Sequence, residues 1–129
     1  MMVLVILQCA YYLDGKPRSR AAWLRGLERS HTGKRLKEML PDGIDYYVIN
    51  ASQEIGSSSD ALFPPDIKYI SQTIEHISPT IILACGRVAQ AAVDEIELSV
   101  PIIKTYHPAF RGLSKGITKS INECIQAVT

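Results

Sequence analysis

Apolar runs that are too short for helices alternate with amphipathic stretches along this chain. The first run, Met2–Leu7, shows no alternation of polar and apolar positions, which is typical of a strand buried on both faces. Between the runs, apolar residues spaced three and four apart predict helices. The predicted strands are at 2–7, 46–49, 80–84 and 101–105. The predicted helices are at 21–27, 32–40, 65–76, 86–96 and 118–128.

This alternation predicts the fold class. Strands that alternate with helices are joined by crossovers and therefore pair in parallel. We expect an α/β fold, a three-layer α/β/α sandwich with a short, mainly four-stranded parallel sheet. A chain of 129 residues has the size of one domain, so residues 1–129 are predicted to form a single one. The segment 54–65, rich in serine and proline, is predicted to be a loop.

Composition excludes several classes of protein. With 47% hydrophobic and 21% charged residues, the chain is typical of a folded domain. Its longest apolar run is too short to cross a bilayer, and no basic residue precedes it as in a signal peptide. We therefore expect a soluble, cytoplasmic protein with no membrane partner. The three cysteines, Cys9, Cys85 and Cys124, form no CxxC pair, which argues against a disulfide framework or a metal centre. No metal and no cofactor are predicted.

Charge is distributed unevenly, although the net charge is only +1. Residues 16–37 carry eight basic side chains and one acid, a net charge of +7. The stretch 38–97 is at −8 and the stretch 98–129 at +3. A basic run is often only a solvated helical face, but +7 within one short segment indicates a polyanionic partner such as nucleic acid.

Chemically useful side chains follow the predicted strands. Ligands of parallel α/β sheets bind at the carboxyl ends of the strands. The residues at these ends are 8–12, Asn50, 85–87 and 106–110. An amide that donates and accepts, an imidazole that titrates near neutral pH and aromatic faces for stacking are the components of a nucleobase pocket.

Taken in order, five segments resemble the uracil-DNA glycosylase superfamily, and together they cover most of the chain. They are 3–11 (Val-Leu-Val-Ile-Leu-Gln-Cys-Ala-Tyr), 30–40 with its Gly33 and Leu36, 47–51 (Tyr-Val-Ile-Asn-Ala), 81–92 (Ile-Ile-Leu-Ala-Cys-Gly-Arg-Val-Ala-Gln-Ala-Ala) and 105–110 (Thr-Tyr-His-Pro-Ala-Phe). The resemblance implies that a base is flipped into a pocket and its glycosidic bond hydrolysed.

The same resemblance implies roles for two side chains. Asn50 would read the base edge, its carbonyl accepting from N3–H of uracil and its amide donating to O4. His107 would donate to O2 and stabilise the departing uracil anion. The alternatives are that Asn50 only caps the next turn, and that His107, which precedes a proline, only fixes a turn.

One departure from the family pattern falls on Cys9, where the family usually has a water-activating carboxylate. A thiol is mostly neutral at pH 7 and cannot replace the charge of that carboxylate. Gln8 could at most position a water molecule by hydrogen bonding. Ala109 stands where the family usually has a serine that grips a DNA phosphate.

Further residues are assigned to the base and to DNA. Tyr11, then Trp23, are the candidates for stacking on the base, although a helical tryptophan often belongs to the core. Phe110 is a candidate wedge for the space that a flipped base leaves, the alternative being that it packs under its loop. The candidate phosphate contacts are Arg18, Arg20, Arg111 and Lys115.

Three functions remain open at this point. The first is a monomeric DNA glycosylase acting on uracil-containing DNA, single-stranded or duplex, without a cofactor. The second is a catalytically inactive relative that binds DNA or a protein partner, which Cys9 favours. The third is an enzyme acting on a free nucleoside or nucleotide, for which the basic segment would be superfluous.

Overall fold

The structure, a computed structural model, describes residues 1–8, 10–11, 19–53, 55–56 and 63–128. The strands are β1 (Met2–Leu7), β2 (Ala10–Tyr11), β3 (Asp45–Asn50), β4 (Ile55–Gly56), β5 (Ile81–Cys85) and β6 (Ile102–Thr105). The helices are α1 (Arg20–Arg29), α2 (His31–Met39), α3 (Ile67–Ile77), α4 (Arg87–Asp94) and α5 (Lys115–Ala127). All four predicted strands and all five predicted helices are present, with boundaries that differ by a few residues.

Four strands form one parallel sheet in the order β3-β1-β5-β6. The central strand β1 pairs on both sides, with Val5 opposite Val48 on β3 and opposite Leu83 on β5. Val3 and Leu4 are both fully buried although they point to opposite faces. The unbroken apolar run of β1 follows from this position, because a central strand covered on both faces has no solvent-facing side chain.

Helices cover both faces of the sheet and complete the predicted three-layer sandwich. The first face packs against α1, α2 and α5 around core residues such as Val5, Leu36 and Ile125. The second packs against α3 and α4 around residues such as Ile6 and Ile70. The predicted fold class is therefore confirmed.

A second, two-stranded sheet was not predicted. After β1 and β3 end, Ala51 and Ser52 donate their N–H groups to the carbonyls of Leu7 (2.8 Å) and Gln8 (3.0 Å). The two segments then pair again, in parallel, as β2 and β4. The prediction of a loop over 54–65 is thus wrong at Ile55–Gly56, because two-residue strands carry no periodicity. The rest of that segment up to 62 lies outside the described residues.

The junction of α1 and α2 turns the chain back along the sheet. Ser30 ends the first helix by donating its N–H to Leu27, and its side chain caps the second by accepting from Gly33 N at 3.1 Å. A Cβ on Gly33 would lie 1.9 Å from the Leu27 carbonyl oxygen, so only glycine fits this crossing. Because β3 is parallel to β1, α2 must return to the amino edge of the sheet.

Candidate functional site

His107 follows β6 at the carboxyl edge of the sheet. The main-chain N–H of Ala109 donates to His107 Nδ1 at 3.0 Å, and the N–H of Phe110 donates to the His107 carbonyl at 2.9 Å. The imidazole is half-buried, and this burial lowers its pKa. It is therefore neutral at pH 7 with its one proton on Nε2, because Nδ1 is an acceptor. His107 fixes a turn, as the alternative interpretation proposed, and still presents a hydrogen-bond donor.

Gly86 supports this turn from the neighbouring strand. Its φ of 90° and ψ of 170° fall in a region that is essentially restricted to glycine. Its N–H donates to the Thr105 carbonyl at 2.9 Å, and a Cβ added to it would lie 3.4 Å from the His107 Cβ. Gln90 Nε2 on α4 donates to the same carbonyl at 2.8 Å. These two hydrogen bonds fix the main chain at Thr105, two residues before His107.

Asn50 ends β3, opposite Leu7 of β1. Its side chain is half-buried and has no hydrogen-bond partner within the described residues. It does not cap α3, because Asp66 does so by accepting from Tyr69 N at 3.1 Å. That hydrogen bond, with one from Gln53, lowers the pKa of the Asp66 carboxyl. The next turn after Asn50 runs into residue 54, which lies outside the described residues, so the alternative that Asn50 caps it stays open.

Asn50 and His107 lie at the ends of the two outer strands of one sheet. Three strand spacings separate the axes of β3 and β6, which is about 14 Å. The ends of the two inner strands, marked by Gln8 and Gly86, lie between them. The strands are parallel, so all four ends meet at the same edge. Asn50, the last residue of β3, and His107, which follows β6, thus lie at one edge of the sheet.

Phe110 and the neighbouring basic residues lie on the turn after β6. The ring of Phe110 stacks on that of Tyr106 with 4.9 Å between centroids and 19° between planes. Phe110 does not pack under its loop, because 48% of its surface is exposed. Arg111 and Lys115 are exposed, and neither has an ion-pair partner in the described part of the chain. Sequence reasoning assigned no role to Tyr106, although the spacing Tyr-x-x-x-Phe around a His-Pro pair could have indicated one.

Comparison with protein families identifies the lineage. A family model described as the Uracil DNA glycosylase superfamily matches residues 10–128. The chain belongs to the uracil-DNA glycosylase superfamily. The matched range includes Asn50 and His107, the residues for which the superfamily resemblance implied chemical roles. Comparisons with curated proteins and with solved structures gave no match.

Several residues expected from the superfamily pattern fall outside what the structure describes. Cys9 and Arg18 lie outside the described residues, and of Tyr11 only the main chain is placed, paired with Gly56. Gln8 is half-buried at the end of β1, and its carbonyl accepts from Ser52. The assignments of Cys9, Arg18 and Tyr11 therefore stay predictions.

Trp23 and Arg20 of α1 lie close to β3, the edge strand of the parallel sheet in the described part of the chain. Trp23 is partly buried and packs on the core beneath α1, which is the alternative given for it above. The Arg20 guanidinium donates to the Val48 carbonyl on the edge strand β3. It also lies over the rings of Tyr47, at 4.2 Å from the centroid, and Trp23, at 5.4 Å. This guanidinium has main-chain and aromatic partners within the protein itself.

The described residues hold no group of three or more His, Cys, Asp or Glu side chains that could bind a metal. Cys85 is buried on β5, and its burial raises the pKa of the thiol to about 12, so it is not a nucleophile. No described helix is long and apolar enough to cross a membrane.

Proposed function

We propose that this protein binds DNA and excises uracil, or a related damaged base, by hydrolysing the N-glycosidic bond. The observation that carries the proposal is the hydrogen-bonded geometry of His107 at the carboxyl edge of the sheet. The Ala109 N–H occupies Nδ1, so the proton is held on Nε2 at the carboxyl edge of the sheet. Membership of the superfamily supports the reaction class.

His107 acts on the leaving group. When the bond between C1′ of the sugar and N1 of uracil breaks, both electrons go to the base and negative charge develops on O2. A fixed Nε2–H donor stabilises this charge more strongly than it stabilises the neutral base in the ground state. One such donor is worth about 3 kcal/mol, or roughly 10²-fold in rate. The base must leave the stack to reach this donor.

Asn50 selects the base. Its carbonyl accepts from N3–H of uracil and its amide donates to O4, whereas cytosine presents an acceptor at N3 and a donor at N4. The side chain has no competing hydrogen bond within the described residues. An Asn50→Asp variant loses the donor to O4, which weakens uracil binding by about 1 to 3 kcal/mol. NMR titration with free uracil checks this, and shifts confined to residues remote from Asn50 and His107 would refute the pocket.

The test of the proposed function is excision from oligonucleotides. Single-stranded and duplex DNA with one uracil is incubated with the protein, and alkaline cleavage reveals abasic sites. The wild type should cleave, and His107→Ala should lose about 10²-fold or more. His76→Ala, at an exposed histidine of α3, is the matched control and should keep full activity. A His107→Ala variant with the activity of the wild type would contradict the role of His107 in stabilising the leaving group.

The absence of the usual carboxylate at Cys9 favours a second candidate, a relative that binds DNA without catalysis. If the pocket is otherwise intact, Cys9→Asp supplies a base and a cation-stabilising charge, and excision should rise about 10²-fold or more. A thermal melt must first show that the variant folds, because a buried aspartate without donors is destabilising. A folded Cys9→Asp variant that binds DNA and is as inactive as the wild type would favour the binding-only function over excision.

A further inference from the structure

The turn after β6 presents two stacked aromatic rings to solvent. Tyr106 is 54% exposed and Phe110 48%, although both are large apolar side chains. Their rings are nearly parallel, so one face of each is covered by the other. The exposed surface of the pair therefore lies on the remaining faces and edges of the two rings. Contiguous exposed apolar surface, unlike singly scattered apolar residues, is typical of an interaction site.

The pair is held in place by the main chain of the turn. Phe110 donates its N–H to the His107 carbonyl, and its own carbonyl accepts from Leu113 N at 3.1 Å. Leu113 is buried, and its carbonyl in turn accepts from the guanidinium of Arg35 on α2. A Cβ on Gly112 would lie 2.5 Å from Phe110 Cε1, so the Phe110 ring rests against the backbone of that glycine. The platform is preorganised on the turn that also positions His107.

Charge identifies the ligand. Arg111 directly follows Phe110, and Lys115 begins α5, and both are exposed without an ion-pair partner in the described part of the chain. A flat aromatic surface flanked by cations is the combination that binds single-stranded nucleic acid, where bases stack on the rings and phosphates meet the charges. In a duplex the bases are covered by their neighbours, so their faces are not accessible to the pair.

The geometry points to Tyr106 and Phe110 as a stacking platform for an unpaired base of single-stranded DNA, next to the base that His107 serves. The inference rests on the proposed function, because it takes DNA as the ligand. It differs from a wedge role for Phe110, since a wedge fills a gap in a duplex and needs no second ring.

Fluorescence anisotropy tests the platform. The probes are a labelled, uracil-free single strand of about 12 nucleotides, within the usual site size, and its blunt duplex. Tyr106→Leu and Phe110→Leu should each weaken single-strand binding about 5- to 100-fold and duplex binding much less. Tyr106→Phe keeps the stack and should stay within about twofold. Tyr46→Leu, at an exposed tyrosine near the start of β3, is the matched control and should match the wild type.

Two readouts separate the platform from the proposed function. In the wild type, the single strand should shift the ring protons of Tyr106 and Phe110 by NMR, which requires no variant to fold. Excision with unchanged single-strand affinity in both leucine variants would overturn the platform and leave the proposed function standing. If single-strand binding requires the two rings but no uracil is excised, the platform stands and the proposed excision activity is overturned. Absence of binding to either probe, or self-association that Phe110→Leu abolishes while DNA affinity is kept, would also overturn the platform.

Discussion

Helices α1 and α2 and the turn that joins β6 to α5 both carry basic side chains, but their surroundings differ. In the helices, Arg20 and Arg35 donate to the main-chain carbonyls of Val48 and Leu113. Arg111 on the turn and Lys115 at the start of α5 are exposed and have no ion-pair partner within the described residues. Arg20 and Arg35 join elements of the fold, whereas Arg111 and Lys115 can reach phosphates.

The difference shows that net charge along a segment does not assign its function. An arginine carries several donors in a fixed, planar arrangement, so it can satisfy a carbonyl that an edge strand leaves without a neighbour. Arg20 does so for β3, which within the described part of the chain has a neighbouring strand on one side only. Internal contacts can therefore occupy the donors of some side chains in a +7 segment, whereas Arg111 and Lys115 keep their donors available to a ligand.

Arg20→Ala should have the largest effect on stability. It removes a hydrogen bond from a charged donor and cation–π contacts with Tyr47 and Trp23, together about 2 to 3 kcal/mol. Arg25→Ala, at an exposed arginine of the same helix, is the control and should stay within about 0.5 kcal/mol of the wild type. Urea unfolding measures both. Equal stability of the two variants would contradict the structural role of Arg20.

Gly86→Ala should have the next largest effect and lower the free energy of unfolding by about 1 to 3 kcal/mol. Alanine does not tolerate the φ and ψ of this position. The new Cβ would lie in van der Waals contact with the His107 Cβ, so a backbone shift that relieves the strain also moves His107, and excision should fall further than stability explains. Gly26→Ala is the control, since a Cβ there meets nothing and alanine favours a helix. Thermal melting should show opposite shifts for the two variants. Parallel shifts would contradict the strain assigned to Gly86.

Arg111→Ala with Lys115→Ala should weaken DNA binding without unfolding the protein. If the wild type engages about four phosphates, log K falls against log salt with a slope of roughly −3 to −4, and this variant should reduce the slope by about two. Lys34→Ala with Lys37→Ala removes the same charge from α2 and should change the slope by less than about one. An equal change in both double variants would mean that α2 also contacts DNA and would break the comparison.

The smallest effect is the pH dependence that His107 confers. Its pKa is lowered by burial, so below the ordinary value of 6.5 the unfolded chain binds more protons than the folded one. The contribution of neutral His107 to the free energy of unfolding is therefore fully present above about pH 6.5. It is lost as the pH falls through the lowered pKa of His107. The Tm of the wild type should therefore drop more steeply in this range than that of His107→Gln. Parallel Tm curves would show that the burial of the imidazole contributes nothing.

Excision should follow the same titration. Protonation of His107 adds a proton at Nδ1, which then can no longer accept from the Ala109 N–H. The turn loses that hydrogen bond, so the rate should fall as the pH drops below the range in which the imidazole is neutral. An NMR titration of the His107 ring locates its pKa for comparison with the rate profile. A rate that rises as the imidazole becomes protonated would rule out the neutral donor.

Periodicity was sufficient to predict the architecture. The apolar run of β1, the spacing of Ile67, Ile70 and Ile74, and the crossover rule led to the parallel sheet that the structure contains. The placement of Asn50 and His107 at strand ends followed from the same reasoning. These are local patterns and general topological rules, and both can be read from one chain.

Contacts between remote residues could not be predicted in this way. The role of Arg20 depends on β3 being an edge strand, 28 positions further along the chain. The pairing at Ile55–Gly56 depends on the path of the chain after β1. The stack of Tyr106 on Phe110 depends on the turn that His107 closes with its carbonyl.

The sequence by itself determined the order of the elements, the faces that they bury and the candidates for chemistry, because side-chain polarity and backbone preference act over a few neighbouring residues. Only the tertiary structure decided which basic side chains have hydrogen-bond partners within the protein, which nitrogen of His107 keeps its proton and which aromatic rings are exposed to solvent. Those properties depend on burial and on hydrogen-bond partners that the fold brings from distant parts of the chain.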